Sequence, residues 1–279
     1  METRTPVSRL SLVLLVASLP FAALAGCASE RTAIGPADTA PLAGALGSVS
    51  SDEALQKLVE GNARFVGNKD NDTPRDVSRR SDLAKGQHPF AGILTCSDSR
   101  VPPELVFDQE LGDLFVVRVA GNTADDVGMG SLEYAVEHLG VQLVVVMGHE
   151  KCGAVAAAVT TAKEGGELPG HLPAVVADIL PVVKQGIADG GDAVHNCVWH
   201  NAANVAAKLR SQSPILSEAM EKGRLRICAA VYDLDTGMVR FLPQPPQSEK
   251  AGPAAPHGDI AHGESEHEAA NDDHGHQHH

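Results

Sequence analysis

Three short apolar runs constrain the fold of this chain more than any other feature of its sequence. They are FAGILT (90–95), LFVVRVA (114–120) and QLVVVMG (142–148), and none of them alternates regularly between apolar and polar residues. A strand with one face in water alternates, whereas a strand that is buried on both faces does not. Segments with helical character separate the runs, notably GSLEYAVEHLG at 130–140. This order predicts an α/β fold in which a mainly parallel central sheet is flanked by helices.

The neighbouring segments extend the same domain in both directions. Ser50 and Glu53 have the spacing of a capping box, which predicts an N-terminal helical arm over about 52–66. The stretch at 224–242 contains two apolar segments with a turn between them, which predicts a C-terminal strand hairpin at the sheet edge. Further helices are predicted within 154–164, 173–188 and 196–212. One domain over residues 50–245 accounts for all of these elements.

The first residues have the layout of an export signal. A short start with arginine precedes an apolar stretch at 10–25, which is too short to span a membrane comfortably. The end of this 1–26 segment resembles a bacterial lipoprotein signal, in which cleavage leaves Cys27 as a lipidated N-terminus; the alternative is an ordinary signal peptide with an incidental cysteine. Residues 27–49 are rich in Ala, Gly, Pro and Ser, which predicts a flexible linker. We therefore expect an exported protein on the periplasmic face, tethered to a lipid bilayer through Cys27, with the outer membrane as one candidate.

The C-terminal segment at 246–279 is rich in histidine and acidic residues and has almost no large apolar residues. Because such a composition cannot build a core, this tail is predicted to be disordered. One hypothesis is that its histidines gather zinc where free metal is scarce; a solvated acidic tail or an expression tag is the other. The formal charge of −14 argues against nucleic acid as a partner, because phosphate contacts are made largely by Lys and Arg.

Four cysteines remain when the one at the lipoprotein site is set aside: Cys96, Cys152, Cys197 and Cys228. Export invites a disulfide interpretation, but wide spacing in a long chain is not typical of a disulfide framework. Cys96 directly follows one predicted strand, and GHEKCG, with His149 and Cys152, follows another. If those strands are neighbours, the three side chains meet at the carboxyl edge of the sheet, where two thiolates and an imidazole suit zinc. Buried apolar packing is the alternative for these cysteines and the expectation for Cys197 and Cys228.

The motifs CSDSRVPPE, GSLEYAVEHLG and VVVMGHEKCG, in this order and at this separation, closely resemble those of the β-class carbonic anhydrases. The resemblance runs from about residue 52 to residue 242 and covers the whole predicted domain. It implies that Cys96, His149 and Cys152 are the ligands of a zinc ion. It also implies that Asp98 and Arg100 form a catalytic pair, in place of the incidental salt bridge that such neighbours usually make.

The resemblance further implies a set of substrate-binding residues. These are a glutamine that hydrogen-bonds the substrate, two aromatic residues of an apolar pocket and a glycine whose backbone N–H contacts bicarbonate: Gln87, Phe115, Tyr134 and Gly153. Two positions depart from the family's pattern. Ala120 stands where one branch has a bulkier aliphatic residue in the pocket, and Ile93 stands where a bicarbonate-regulated branch has tryptophan. The second departure argues against a regulatory bicarbonate site.

The function implied by the resemblance is the zinc-dependent, reversible hydration of CO2 to bicarbonate and a proton. Zinc-bound hydroxide would attack CO2, and Asp98, held ionised by Arg100, would orient it. A homodimer or a higher homo-oligomer is also implied, because the family's pocket is completed across subunits. Two alternatives are a hydrolase of CS2 or COS on the same scaffold and a periplasmic zinc-storage lipoprotein. The presence of Gln87, Asp98 and Arg100 counts against storage, which needs no catalytic pair.

Overall fold

A five-stranded sheet organises the protein in a computed structural model that describes residues 49–69 and 76–243. The strands are β1 (Ala91–Thr95), β2 (Leu114–Arg118), β3 (Leu143–His149), β4 (Arg226–Tyr232) and β5 (Val239–Phe241). Their order in the sheet is β2-β1-β3-β4-β5, with the first four parallel and β5 antiparallel to β4. The predicted parallel sheet and its C-terminal hairpin are therefore confirmed, and β1 and β3 are direct neighbours. The predicted signal peptide, tail and nearly all of the predicted linker lie outside the described residues.

Helices separate the strands along the chain. They are α1 (Ser51–Val66), α2 (Val77–Leu83), α3 (Pro103–Val106), α4 (Asp126–Leu139), α5 (Gly153–Glu164), α6 (Leu172–Ala188), α7 (Ala193–Gln212) and α8 (Pro214–Glu221), with a 3₁₀ turn at Ala120–Asn122. The helices predicted from periodicity are confirmed as α1 and α4 to α7. The short α2, α3 and α8 were not predicted. None of the described helices is both long and apolar enough to cross a bilayer.

Burial explains the composition of the central strands. Every residue of β1 and β3 is buried, because helices cover both faces of the sheet at its centre. The edge strand β2 is only partly buried, with an exposed residue at its carboxyl end. The non-alternating pattern therefore correctly predicts the two central strands, whereas β2 has the same apolar composition at a more exposed position.

A buried amide side chain links the N-terminal arm to two other parts of the domain. Helix α1 begins with the predicted capping box, in which Ser50 and Glu53 each bond the other's backbone N–H. Further along, the Asn62 side chain donates to the carbonyl oxygens of Val106 and Gly237, at 3.0 and 2.9 Å. Its oxygen accepts from the N–H of Val239 at 2.8 Å. One side chain thus connects α1 to the end of α3 and to the β4–β5 hairpin.

Candidate metal centre

The carboxyl ends of β1 and β3 bring three potential metal ligands together. Because Thr95 pairs with Met147 in the parallel ladder, the residue after β1 and the last residue of β3 lie at the same edge of the sheet. The ligand atoms of Cys96, His149 and Cys152 all lie within 4.8 Å of one another, and all three residues are buried. Among the described residues they form the one group of three or more His, Cys, Asp or Glu side chains able to hold an ion. The predicted grouping is therefore confirmed.

The turn between β3 and α5 directs two of these ligands to the same side. Lys151, between them, has φ of +55°, which is the left-handed region that L residues other than Asn and Asp seldom adopt. Cys152 is the N-cap residue of α5, and the N–H of Glu150 donates to the carbonyl of Tyr232 in β4 at 2.9 Å. The i, i+3 spacing therefore works as predicted, through a tight turn anchored to the neighbouring strand.

The hydrogen bonds of His149 leave one ring nitrogen available. Its Nδ1 lies 2.9 Å from the carbonyl oxygen of Glu150, which can only accept, so Nδ1 carries the proton. The other nitrogen, Nε2, is buried and has no hydrogen-bond partner. Because a buried nitrogen without a partner is costly, the lone pair on Nε2 fits a metal ion. With two sulfurs beside it, this donor set suits zinc.

The close approach of the two sulfurs shifts the pKa values of the Cys96 and Cys152 thiols in opposite directions. The pKa of Cys96 is lowered, chiefly because the Cys152 thiol donates a hydrogen bond to its sulfur. The N–H of Gly121 also donates to the Cys96 Sγ, at 3.3 Å. The pKa of Cys152 is raised, because it is the donor in the shared bond and is buried. Because a metal ion binds cysteine as the thiolate, binding of a dication at this pair would release protons.

A carboxylate lies beside the ligands and is held in place by an arginine. Arg100 donates from Nε to Oδ1 of Asp98 at 2.9 Å and from Nη2 to Oδ2 at 2.7 Å, and its backbone N–H also reaches Oδ1. This bidentate bond holds the pKa of Asp98 well below its usual value. The Asp98 Oδ2 lies 3.9 Å from Nε2 of His149. An ionised oxygen therefore faces the position where the metal would be bound.

A second arginine, which was not predicted, supports the same loop. Arg118, at the carboxyl end of β2, donates from Nε to the carbonyl of Cys96 at 3.0 Å and from Nη2 to the carbonyl of Asp98. Its guanidinium thus holds the backbone that carries one ligand and the carboxylate. The signal was present in the sequence, because Arg118 is the one charged residue in an apolar run.

The predicted substrate residues lie on different elements. Phe115 on β2 and Tyr134 on α4 are neighbours, with ring centroids 6.3 Å apart, and Tyr134 is 47% exposed. Gly153 is the first residue of α5, directly after Cys152, and Gln87 is exposed in the segment between α2 and β1. The structure thus brings the two aromatic residues together and places Gly153 beside a ligand. All four described cysteines are free, and Cys197 and Cys228 are buried, as expected.

Comparisons with known proteins agree with this geometry. The family model described as carbonic anhydrase matches residues 91–239. A carbonic anhydrase 2 from Mycobacterium tuberculosis is 42% identical over 184 residues, which are 66% of this chain and 89% of that protein. Among solved structures, a β-carbonic anhydrase from Aspergillus fumigatus is 30% identical with a TM-score of 0.53, over 70% of this chain and 92% of the other. One of two tetrameric β-carbonic anhydrases from Sordaria macrospora is 26% identical with a TM-score of 0.54, over 67% of this chain and 96% of the other.

Proposed function

Because the chain belongs to the β-class carbonic anhydrase family, we propose that it hydrates CO2 reversibly at a zinc ion held by Cys96, His149 and Cys152. The observation that carries the proposal is the buried Nε2 of His149, which has no partner and lies next to two sulfurs. Three protein ligands leave one tetrahedral position for water, which is the arrangement of a catalytic zinc site. Bound there, zinc would act as a Lewis acid and lower the pKa of a coordinated water toward neutrality.

We assign Asp98 the role of hydrogen-bond acceptor for the attacking water. The carboxylate stays ionised because Arg100 donates two side-chain hydrogen bonds to it. An ionised Oδ2 can accept a hydrogen from the nucleophile and thereby turn a lone pair of that oxygen toward the CO2 carbon. Arg100 fixes the orientation of the carboxylate, and Arg118 fixes the backbone on which it stands.

The substrate pocket and the assembly follow as proposals from the same family membership. Phe115 and Tyr134 would form an apolar wall for CO2, Gln87 would hydrogen-bond the substrate, and the N–H of Gly153 would bind bicarbonate. Support for the last role comes from position, since the first N–H groups of a helix are free to bind an anion. A homo-oligomer is supported by the tetrameric relatives and by β2, which lies at an open edge of the sheet in this chain.

The cellular location is also a proposal. The first 26 residues would direct export, and a lipid on Cys27 would hold the enzyme at the periplasmic face of a membrane. The alternatives of a CS2 or COS hydrolase and of a zinc-storage protein are not favoured, because the related proteins are carbonic anhydrases.

Stopped-flow measurement of CO2 hydration on purified, zinc-loaded protein tests the proposed reaction. We expect turnover that disappears when zinc is removed by a chelator and returns when zinc is restored. A protein with zinc confirmed in the site but with no CO2 hydration between about pH 7 and pH 9 would contradict the proposal.

A further inference from the structure

Helix α7 reaches the metal centre through a residue between two of the proposed ligands. The carboxylate of Glu150 accepts a hydrogen bond from the indole Nε1 of Trp199 at 3.1 Å. Its other oxygen lies 3.0 Å from Nδ1 of His195. Trp199 and His195 are four residues apart on α7, so both project from the same side of the helix. The Glu150 side chain is only 17% exposed, and these two side chains hold both of its oxygens.

Glu150 also determines the tautomer of His149. Its backbone carbonyl accepts the hydrogen bond from Nδ1 of His149, which leaves the lone pair on Nε2. The orientation of this peptide group therefore decides where the lone pair points. Because α7 holds the side chain of the same residue, it restricts rotation of that peptide group.

A second contact from the same helix supports another ligand. The fully buried Asn201 donates from Nδ2 to the carbonyl oxygen of Gly121 at 2.8 Å. Gly121 in turn donates its N–H to the sulfur of Cys96. Helix α7 thus contacts the partners of two proposed ligands, Cys96 and His149, without supplying a ligand itself.

We propose that α7 is a positioning element for the metal, and that Trp199, His195 and Asn201 are positioning residues that strengthen zinc binding. Outer contacts of this kind contribute about 10- to 100-fold to metal affinity. The inference rests on the proposed zinc ligands but does not depend on the substrate. Because Trp199 is the single tryptophan of the chain, its fluorescence should report whether zinc is bound at the site.

The decisive variant is Trp199→Phe, which removes the indole N–H and keeps an aromatic ring. We expect chelator competition to show zinc affinity reduced about tenfold or more. Glu150→Ala, which removes the hydrogen-bond acceptor, should lower zinc affinity in the same way. Glu150→Gln should keep a zinc affinity within about threefold of wild type, because its amide oxygen still accepts a hydrogen bond from Trp199. The matched control is His200→Gln, on the same helix, where His200 Nε2 lies 2.6 Å from Asp189 on the surface, and its zinc affinity should not change.

If these contacts only stabilised the fold, Trp199→Phe and Glu150→Ala would lower the stability of the metal-free protein. Their zinc affinities would then not differ from those of Glu150→Gln and His200→Gln. Wild-type affinity in Trp199→Phe would overturn the proposal. If that variant fails to fold, fluorescence of the wild-type protein decides: we expect zinc removal to change the Trp199 emission, and an unchanged emission would overturn the proposal. Failure of the wild-type protein to bind zinc would instead refute the proposed function.

Discussion

Replacing Gly121 with alanine should destabilise the fold and weaken the metal centre together. Its φ is +71°, a conformation that costs an L residue about 1–2 kcal/mol. A Cβ there would lie 2.7 Å from Cδ1 of Ile179 and 3.1 Å from Cβ of Ala154. Ile179 is fully buried, so the crowding adds about 1–3 kcal/mol. Alanine restricts the unfolded chain more than glycine does, which offsets up to about 1 kcal/mol, and the net loss is about 3 kcal/mol.

The same substitution should act on zinc through one hydrogen bond. The N–H of Gly121 donates to the Cys96 sulfur, and a bond to a charged acceptor contributes about 1.5–3 kcal/mol. If the backbone shifts to make room for the methyl group, we expect zinc affinity to fall about tenfold or more. Urea unfolding of the metal-free protein measures the first effect, and competition with a chelator of known affinity measures the second.

Gly130→Ala provides the matched control. Gly130 lies inside α4, and a Cβ built on it meets no atom within 4 Å. Alanine there should stabilise the protein by up to about 1 kcal/mol, because it is the better helix former, and should leave zinc affinity unchanged. An unfolding midpoint of Gly121→Ala equal to that of wild type would refute the packing argument. Lower stability with unchanged zinc affinity would refute the role of the hydrogen bond to Cys96.

Three further substitutions test other parts of the structure. Asp98→Asn should retain zinc, as metal analysis would show, but lose about 100-fold or more in turnover; a fully active variant would remove the assigned role of Asp98. Cys96→Ser should bind zinc much more weakly, because a hydroxyl replaces a thiolate ligand, and a wild-type dissociation constant would count against the proposed ligand set. Asn62→Leu should lower the free energy of unfolding by about 3 kcal/mol, because it leaves the buried carbonyl of Val106 and the half-buried carbonyl of Gly237 and N–H of Val239 without this partner; urea unfolding with an unchanged midpoint would contradict this.

The sheet could be predicted from local sequence because its strands are buried in a characteristic way. The β1 and β3 segments are apolar throughout, so both faces of these strands must be covered by other elements. The segments between the apolar runs have helical periodicity, which predicted that helices provide this cover. The position of β2 at the edge could not be predicted, since apolar strands of this kind do not reveal their order in the sheet. The grouping of Cys96 with His149 was therefore conditional until the pairing of β1 with β3 was known.

The support around the metal centre could not be predicted, because it depends on contacts between residues far apart in sequence. Trp199 bonds Glu150 across the packing of α7, and nothing near Trp199 in the sequence marks it as part of the site. The role of Gly121 likewise depends on how close the 3₁₀ turn comes to Cys96. Arg118 was marked by its charge in an apolar run, but the sequence did not show which backbone it contacts. By contrast, Asp98 and Arg100 are two residues apart, and the resemblance of their motif to a known family was enough to predict that they interact.

The separation of the ligands along the chain also determines when a metal can be bound during folding. Two helices, α3 and α4, and the whole of strand β2 lie between β1 and β3, so the three-ligand site exists only after a long-range, parallel pairing has formed. Thiolate-rich sites of this kind also accept copper, so the ion that is bound depends on which metal is available at that moment. If the N-terminal segment exports the chain before it folds, the metal pool of the receiving compartment, and not that of the cytosol, determines whether the enzyme is active.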